Sequence, residues 1–295
     1  MDLVRLTSFL EKVASSLMSV IRVLVLSRPT GRFTADHASC VVLGNGPSLT
    51  TTISKHRHWL ETQPAVAVNL FCVSDEFERL KPAYYVLQAP EFHMYRPPSK
   101  DHEDSRNRLW SELILKTTWP LTLFLPVQAR KSTYLAGMTD LNNHPWIRIQ
   151  YYNPTPVEGF DGLSHWLFSI GAGMPRPHNV LLPSVLLMIS AGIKTIFIVG
   201  ADHSWHETVQ VGATGPSVDH VHFYDRKEER MHMLKLDGKP YFIHDMFRKW
   251  YLAFKGYHEL QAYANHTGTT ILNASERSYI DAFPRVSITD TNAQS

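Results

Sequence analysis

Cysteine is nearly missing from this chain. Of 295 residues only Cys40 and Cys72 carry a thiol, each inside a short apolar run. That excludes a disulfide scaffold and a cysteine-ligated zinc site, and it reads as two buried free thiols in a reducing compartment. An excess of charge of one sign is missing too. There are 29 Lys and Arg against 27 Asp and Glu, a formal net charge of +2, and the basic residues are scattered. Such a balance gives no electrostatic case for a nucleic-acid partner. No uninterrupted apolar run reaches the roughly 20 residues that span a bilayer, and no small-residue cleavage pattern marks a signal peptide. Three motifs are lacking as well: the dinucleotide fingerprint G-x-G-x-x-G, the P-loop G-K-[ST], and an Asp-x-Asp pair to hold a divalent cation against a diphosphate.

What is present begins with a stripe. Leu3, Leu6, Leu10, Val13, Leu17, Val20, Ile21 and Leu24 recur at helical spacing over residues 3–26, with Arg5, Lys12, Arg22 and Arg28 alongside. Two readings stay open: a helix lying on a membrane surface, or one packed on the domain or on a second copy in a homo-oligomer. Pro29-Thr30-Gly31 ends it. The expected organisation is an amino-terminal amphipathic helix (1–30), a nucleotide-binding catalytic domain (31–284) and a loose polar tail (285–295). The expected location is cytoplasmic, peripheral on the inner membrane face under the first reading.

The centre of the chain is Val41-Val42-Leu43-Gly44-Asn45-Gly46-Pro47-Ser48-Leu49, a β-branched run breaking into a tight loop. Gly44 and Gly46 permit positive φ and close approach of a ligand. Asn45 offers an amide that donates and accepts, Pro47 ends the strand, and Ser48 caps a following helix. Short apolar runs at 38–43, 65–69, 83–87, 121–125, 146–152, 194–199 and 269–272 alternate with helical segments, among them 180–191 and 245–266. The pattern predicts an α/β fold with a mostly parallel, Rossmann-like sheet, helices on both faces and an irregular lid over 203–243. Residues 97–107 read as a polar loop. Asn45, Asn69 and Asp202 each follow a strand, and strand ends of a parallel sheet open on one crevice. His203, His206, His220 and His222 invite a metal, but ligand count and loop context weigh against one. His244, opening the last long helix, is a candidate general base.

The order of these motifs resembles a bacterial family of CMP-sialic-acid sialyltransferases. The likeness runs from about Ser39 to Phe283 and is specific in the glycine loop and at Gly200-Ala201-Asp202. It implies a metal-independent glycosyltransferase without a cofactor, moving a sugar from a CMP-sugar donor to a surface glycan acceptor. Gly44, Asn45, Gly46, Pro47, Ser48, Asn69 and Asp202 would then line the donor site. His244, in Tyr241-Phe242-Ile243-His244, would be the general base, and Tyr224 would meet the leaving phosphate. A first lid tyrosine has no match, Ser204 and Trp205 standing there instead, so Arg176 or His178 is left to supply charge. The glycine loop also resembles the archaeal-type hydroxymethylpterin diphosphokinase-like family, which implies ATP, magnesium and pyrophosphate transfer. A third alternative is a non-catalytic nucleotide- or glycan-binding module.

Overall fold

The computed structural model describes residues 3–212, 215–220, 223–224, 229–232 and 240–291. His222 and residues 292–295 of the tail lie outside these. Seven parallel strands form the main sheet: β1 (Ser39–Leu43), β2 (Ala65–Val68), β3 (Tyr84–Val86), β4 (Leu121–Pro126), β5 (Ile147–Tyr152), β6 (Thr195–Val199) and β10 (Thr270–Asn273), in the order β10-β6-β1-β2-β3-β4-β5. The chain builds outward from β1 to β5, then returns to lay β6 against β1 with Val41 opposite Phe197. The reversal makes the carboxyl ends of β1 and β6 a topological switch point, where open parallel sheets take their ligands.

The helices are α1 (Leu3–Leu26), α2 (Ser48–Thr62), α3 (Glu76–Leu80), α4 (Lys100–Lys116), two short turns α5 (Thr133–Ala136) and α6 (Thr139–Asn142), then α7 (Asp161–Ser169), α8 (Leu181–Ser190), α9 (Ile243–Thr267) and α10 (Ile288–Thr291). Alternation along the strands divides the core in two. Cys40, Val42, Val66 and Val68 face α7, α8 and α9, with Leu182, Leu186, Tyr257 and Leu260 among the packed residues. Val41, Leu43, Ala65 and Ala67 face the opposite layer, built on Leu49 of α2 and Leu109 and Trp110 of α4. Both thiols are free and buried, and burial pushes each up to about 12.

Two expectations need correction. The segment read as a polar loop over 97–107 is helical from Lys100, because Ser99 Oγ accepts the His102 amide hydrogen as an N-cap and so starts α4 early. The segment 203–243 is not irregular throughout: β7 (Gln210–Gly212), β8 (Gly215–His220) and β9 (Glu229–His232) form an antiparallel sheet. Short strands without apolar alternation leave no such signal in the sequence.

Helix α1 is docked by the side that looked polar. Ser19 is fully buried; its hydroxyl donates to the Glu158 carbonyl at 2.8 Å and accepts from the Glu158 amide at 2.8 Å. Ser16 Oγ accepts the Phe160 amide hydrogen, and Gly159 lies so close that a Cβ there would fall 2.2 Å from that hydroxyl. Leu10, Leu17, Ile21 and Leu24 are exposed. Among the described residues no helix is long and apolar enough to cross a membrane.

Candidate functional site

The glycine loop and the loop after β6 are pressed together at the switch point. Gly44 N–H donates to the Val199 carbonyl and Gly46 N–H to the Gly200 carbonyl, both at 2.8 Å. A Cβ on Gly44 would lie 2.4 Å from the Gly200 oxygen, and one on Gly46 2.0 Å from Asp202 Oδ2. Neither glycine has positive φ; that conformation falls to Gly200 (φ 66°). The expectation that Gly44 and Gly46 take positive φ is therefore revised, and their missing side chains have a further role. They make room for the second loop.

Their approach brings Asp202 to the amino end of α2. Ser48 N–H reaches both carboxylate oxygens at 3.3 Å and Ser48 Oγ donates to Oδ2 at 2.9 Å. Pro47, the residue before the helix, makes no side-chain cap, so Asp202 supplies the negative charge this helix end favours. Burial raises the Asp202 pKa and the Ser48 bonds oppose it.

Below these loops lies a cleft of about 540 Å³, a size suited to a nucleotide. Gly44, Asn45, Gly46, Pro47, Asn69 and Asp202 line it. Asn45 Nδ2 donates to the Val68 carbonyl at 3.1 Å, while its Oδ1 is buried without a partner. Asn69 sits at φ 49°, held there because the Tyr85 hydroxyl accepts from Cys72 N–H and donates to the Asn69 carbonyl; its Oδ1 also has no partner. Phe223 N–H donates to the Asn45 carbonyl at 3.1 Å and its ring packs 5.3 Å from Phe71, so this part of the inserted segment rests on the glycine loop.

Of the opposite wall, the sequence singled out His178 alone, as a candidate source of charge. His178 and Asn179 open α8, and Lys249, Trp250 and Ala253 come from α9. Asn179 Oδ1 accepts from Leu181 N–H at 2.9 Å, Leu182 N–H at 3.2 Å and the Tyr257 hydroxyl at 3.0 Å. Since that hydroxyl donates its hydrogen to Asn179, its oxygen takes the hydrogen on His203 Nε2, 2.6 Å away. His203 is buried with φ 54°, and burial pushes its pKa down to about 3, so the ring is neutral. The polar residue before an apolar helix run was a legible cap signal for Asn179. Lys249 had none, being one cation on an amphipathic helix.

Four expected residues stand outside the cleft wall. Ser48 acts through Asp202. Arg176 pairs with Glu158 at 2.6 Å, a carboxylate shared with Arg22 of α1. Tyr224 is half-buried against the Phe223 ring. His244 heads α9 with its side chain 77% exposed, 3.6 Å from Asp245. Of the histidines that invited a metal, His203 bonds Tyr257 and His206 packs on Tyr279, while the side chains of His220 and His222 lie outside the described residues. Among the described residues no group of three or more His, Cys, Asp or Glu could hold a metal ion.

A second hollow, about 600 Å³ and open to solvent, lies at the amino ends of β1 and β2 around Asp36, Gln63 and Arg79. The switch-point cleft is the stronger candidate, because strand carboxyl ends are where parallel sheets bind.

No known family profile matches the chain, and no curated protein sequence matches it. Among solved structures, the MAf glycosyltransferase from Magnetospirillum magneticum AMB-1 is similar over 95% of this chain and 40% of its own, at 12% identity and a TM-score of 0.47. This chain thus spans less than half of that protein. So remote a likeness bears on neither activity nor site.

Proposed function

We propose that the protein is a glycosyltransferase that takes a CMP-activated sugar as donor and a surface glycan as acceptor, without a divalent metal. The observation that carries this reading is the make-up of the cleft wall. Among the described residues, Lys249, the amino end of α8 and Arg277, itself paired with Glu207, supply positive character, Asp202 is the one carboxylate of the wall, and four lining side chains hold a buried polar atom with no partner: Asn45, Asn69, His178 and Asn179. Each such atom costs about 1–3 kcal/mol until a ligand pairs it. A pyrimidine nucleoside monophosphate offers donors and acceptors for the amides and a single phosphate for the cations. Its phosphate is a good leaving group that hydrogen bonds stabilise. A nucleoside triphosphate with magnesium asks for more carboxylates than Asp202 provides, which places the pyrophosphokinase second.

In the reaction, the acceptor hydroxyl loses its proton to a base as the sugar–phosphate bond breaks with oxocarbenium character. Asp202 ranks ahead of His244 for that role, because Asp202 lines the cleft while His244 stands outside it, and the burial that raises its pKa makes the ionised carboxylate a stronger base. Asp202→Asn should lower turnover by roughly 100- to 10,000-fold and His244→Ala should leave most of it. The reverse result returns the role to His244.

Thermal shift with CMP, and with ATP and magnesium, followed by a CMP-sugar transfer assay in EDTA, tests the reading. CMP should stabilise the protein and transfer should survive the chelator. Stabilisation by ATP and magnesium alone, or activity lost in EDTA and restored by magnesium, establishes the kinase instead. CMP binding with no transfer leaves a binding module.

A further inference from the structure

The cleft contains two helix amino ends; both have first amides held by a side chain, and only at one of them is that side chain uncharged. A phosphate in an α/β protein commonly sits on the helix that follows the first glycine loop, where free N–H groups and the helix dipole meet it. Here that helix is α2, and its end is taken: Ser48 N–H and Oγ are spent on Asp202, whose carboxylate would repel a second anion. The other is α8. Its first amides are held by Asn179 Oδ1, and the Tyr257 hydroxyl on the same oxygen fixes the orientation of the side-chain amide. Among the described residues, Asn179 Nδ2 is thereby left as a donor without a partner, and His178 Nε2 beside it has none either.

Charge at this end points the same way. Lys249 is half-buried in the cleft wall; burial lowers its pKa against the opposing charge of Glu91, its ammonium lies 5.5 Å from the centre of the Tyr241 ring, and among the described residues it has no ion-pair partner. Burial, then Arg176, Lys249 and Arg248, push His178 down to about 4, so three cations bear on one ring. Glu158 opposes them, yet it is already bonded to Arg176 and Arg22. A half-buried ammonium beside an unpartnered amide donor is an arrangement that an incoming anion completes.

We propose that the amino end of α8 is a phosphate subsite formed by His178, Asn179 and Lys249, and that the phosphoryl group of the ligand sits there and not at the amino end of α2. The ligand class is a phosphate monoester or diester, its oxygens accepting from Lys249 Nζ and Asn179 Nδ2. The proposal rests on the reading of the cleft as a nucleotide site, and it separates the half that holds phosphate from the half, at Asn45 and Asn69, that is left for the nucleoside.

Titration calorimetry of the full chain with CMP, cytidine and inorganic phosphate tests it, on wild type, Lys249→Gln and Asn179→Asp. Aspartate keeps the cap on α8 and replaces the donor with a negative charge, so the variant remains foldable; thermal melts verify this. Both substitutions should weaken CMP by roughly tenfold or more and leave cytidine unchanged. Inorganic phosphate should compete with CMP in the wild type and fail to compete in Lys249→Gln. Unchanged CMP affinity in both folded variants, or an equal loss for CMP and cytidine, overturns the subsite while the nucleotide reading stands. If AMP binds as well as CMP and shows the same dependence on Lys249, the subsite stands and the CMP-donor reading falls. Absence of both CMP and phosphate binding in the wild type overturns the subsite.

Discussion

Gly46 shows how little space separates two loops that sequence places 154 residues apart. Its missing Cβ is what lets Asp202 reach Ser48, so Gly46→Ala should cost about 1–3 kcal/mol by overpacking and also lower ligand affinity. Gly162→Ala is the matched control: a Cβ there meets nothing within 4 Å, and stability should hold or rise slightly in urea unfolding. His203 carries a pH signature. Its folded pKa of about 3 lies below the 6.5 of the free side chain, so between these values the unfolded chain binds a proton that the folded one refuses. The stability this contributes is complete above pH 6.5 and is lost as pH falls toward 3. From pH 7 to pH 5 the loss should be about 2 kcal/mol for this residue, and His203→Gln should flatten the profile. His178, lowered to about 4, adds a loss of the same sign, so the flattening will be partial.

Helix α1 inverts the usual rule for a surface helix, its serines turned inward and its leucines outward. Polar contacts do much of the holding, Ser16 and Ser19 on the 158–160 backbone, Arg22 on Glu158 and, just past the helix, Ser27 on Thr155 and Ala172; Val23 on the core and the Phe9 ring on Phe160 add to them. Ser19→Ala should therefore destabilise the protein by about 1–3 kcal/mol, since it strands the Glu158 amide and carbonyl. Leu17→Gln, at 63% exposure, should stay within about 0.5 kcal/mol of wild type. Urea midpoints in the opposite order would mean that the leucine face is the packed one. Glu158 adds an acid limit to this contact. Burial raises its pKa, but Arg176 and Arg22 together hold it below 4.5, so its contribution is present above 4.5 and lost as pH falls further.

Across the whole molecule, the two layers meet the ligand unequally. The layer of α8 and α9 brings Lys249 and Asn179, the loop after β10 brings Arg277, and the carboxyl ends of β1, β2 and β6 bring Asn45, Asn69 and Asp202. On the opposite layer, α4 is set among Phe92, Cys72 and the core and takes no part in the cleft. Hydrogen exchange with and without CMP should follow that division. Amides at 44–46, at 181–182 and in the first turns of α9 should slow, while α1 and α4 keep their rates. Uniform slowing would place the ligand effect on global stability and not on this cleft.

The strands, the long helices and the glycine loop were legible along the chain because each depends on neighbours a few residues away: β-branched runs, 3.6-residue spacing, and Gly-Asn-Gly-Pro after Leu43. Asn45, Asn69 and Asp202 were legible as strand ends for the same reason. The role of the glycines was not, because whether Gly44 faces a ligand or Gly200 depends on β6 lying beside β1. Nor was the fate of Arg176, drawn off by Glu158 and by a helix at the other end of the chain. Lys249 and Asn179 become one wall only when α8 and α9 pack together, and α1 reads as amphipathic while its packed side is set by hydrogen bonds to residues 158–160. Spacing along a chain reports which side chains share a face; which face meets which is decided by contacts between residues far apart in sequence, 78 positions for Asn179 and Tyr257 and 154 for Ser48 and Asp202, and that is where the cleft acquires its charge.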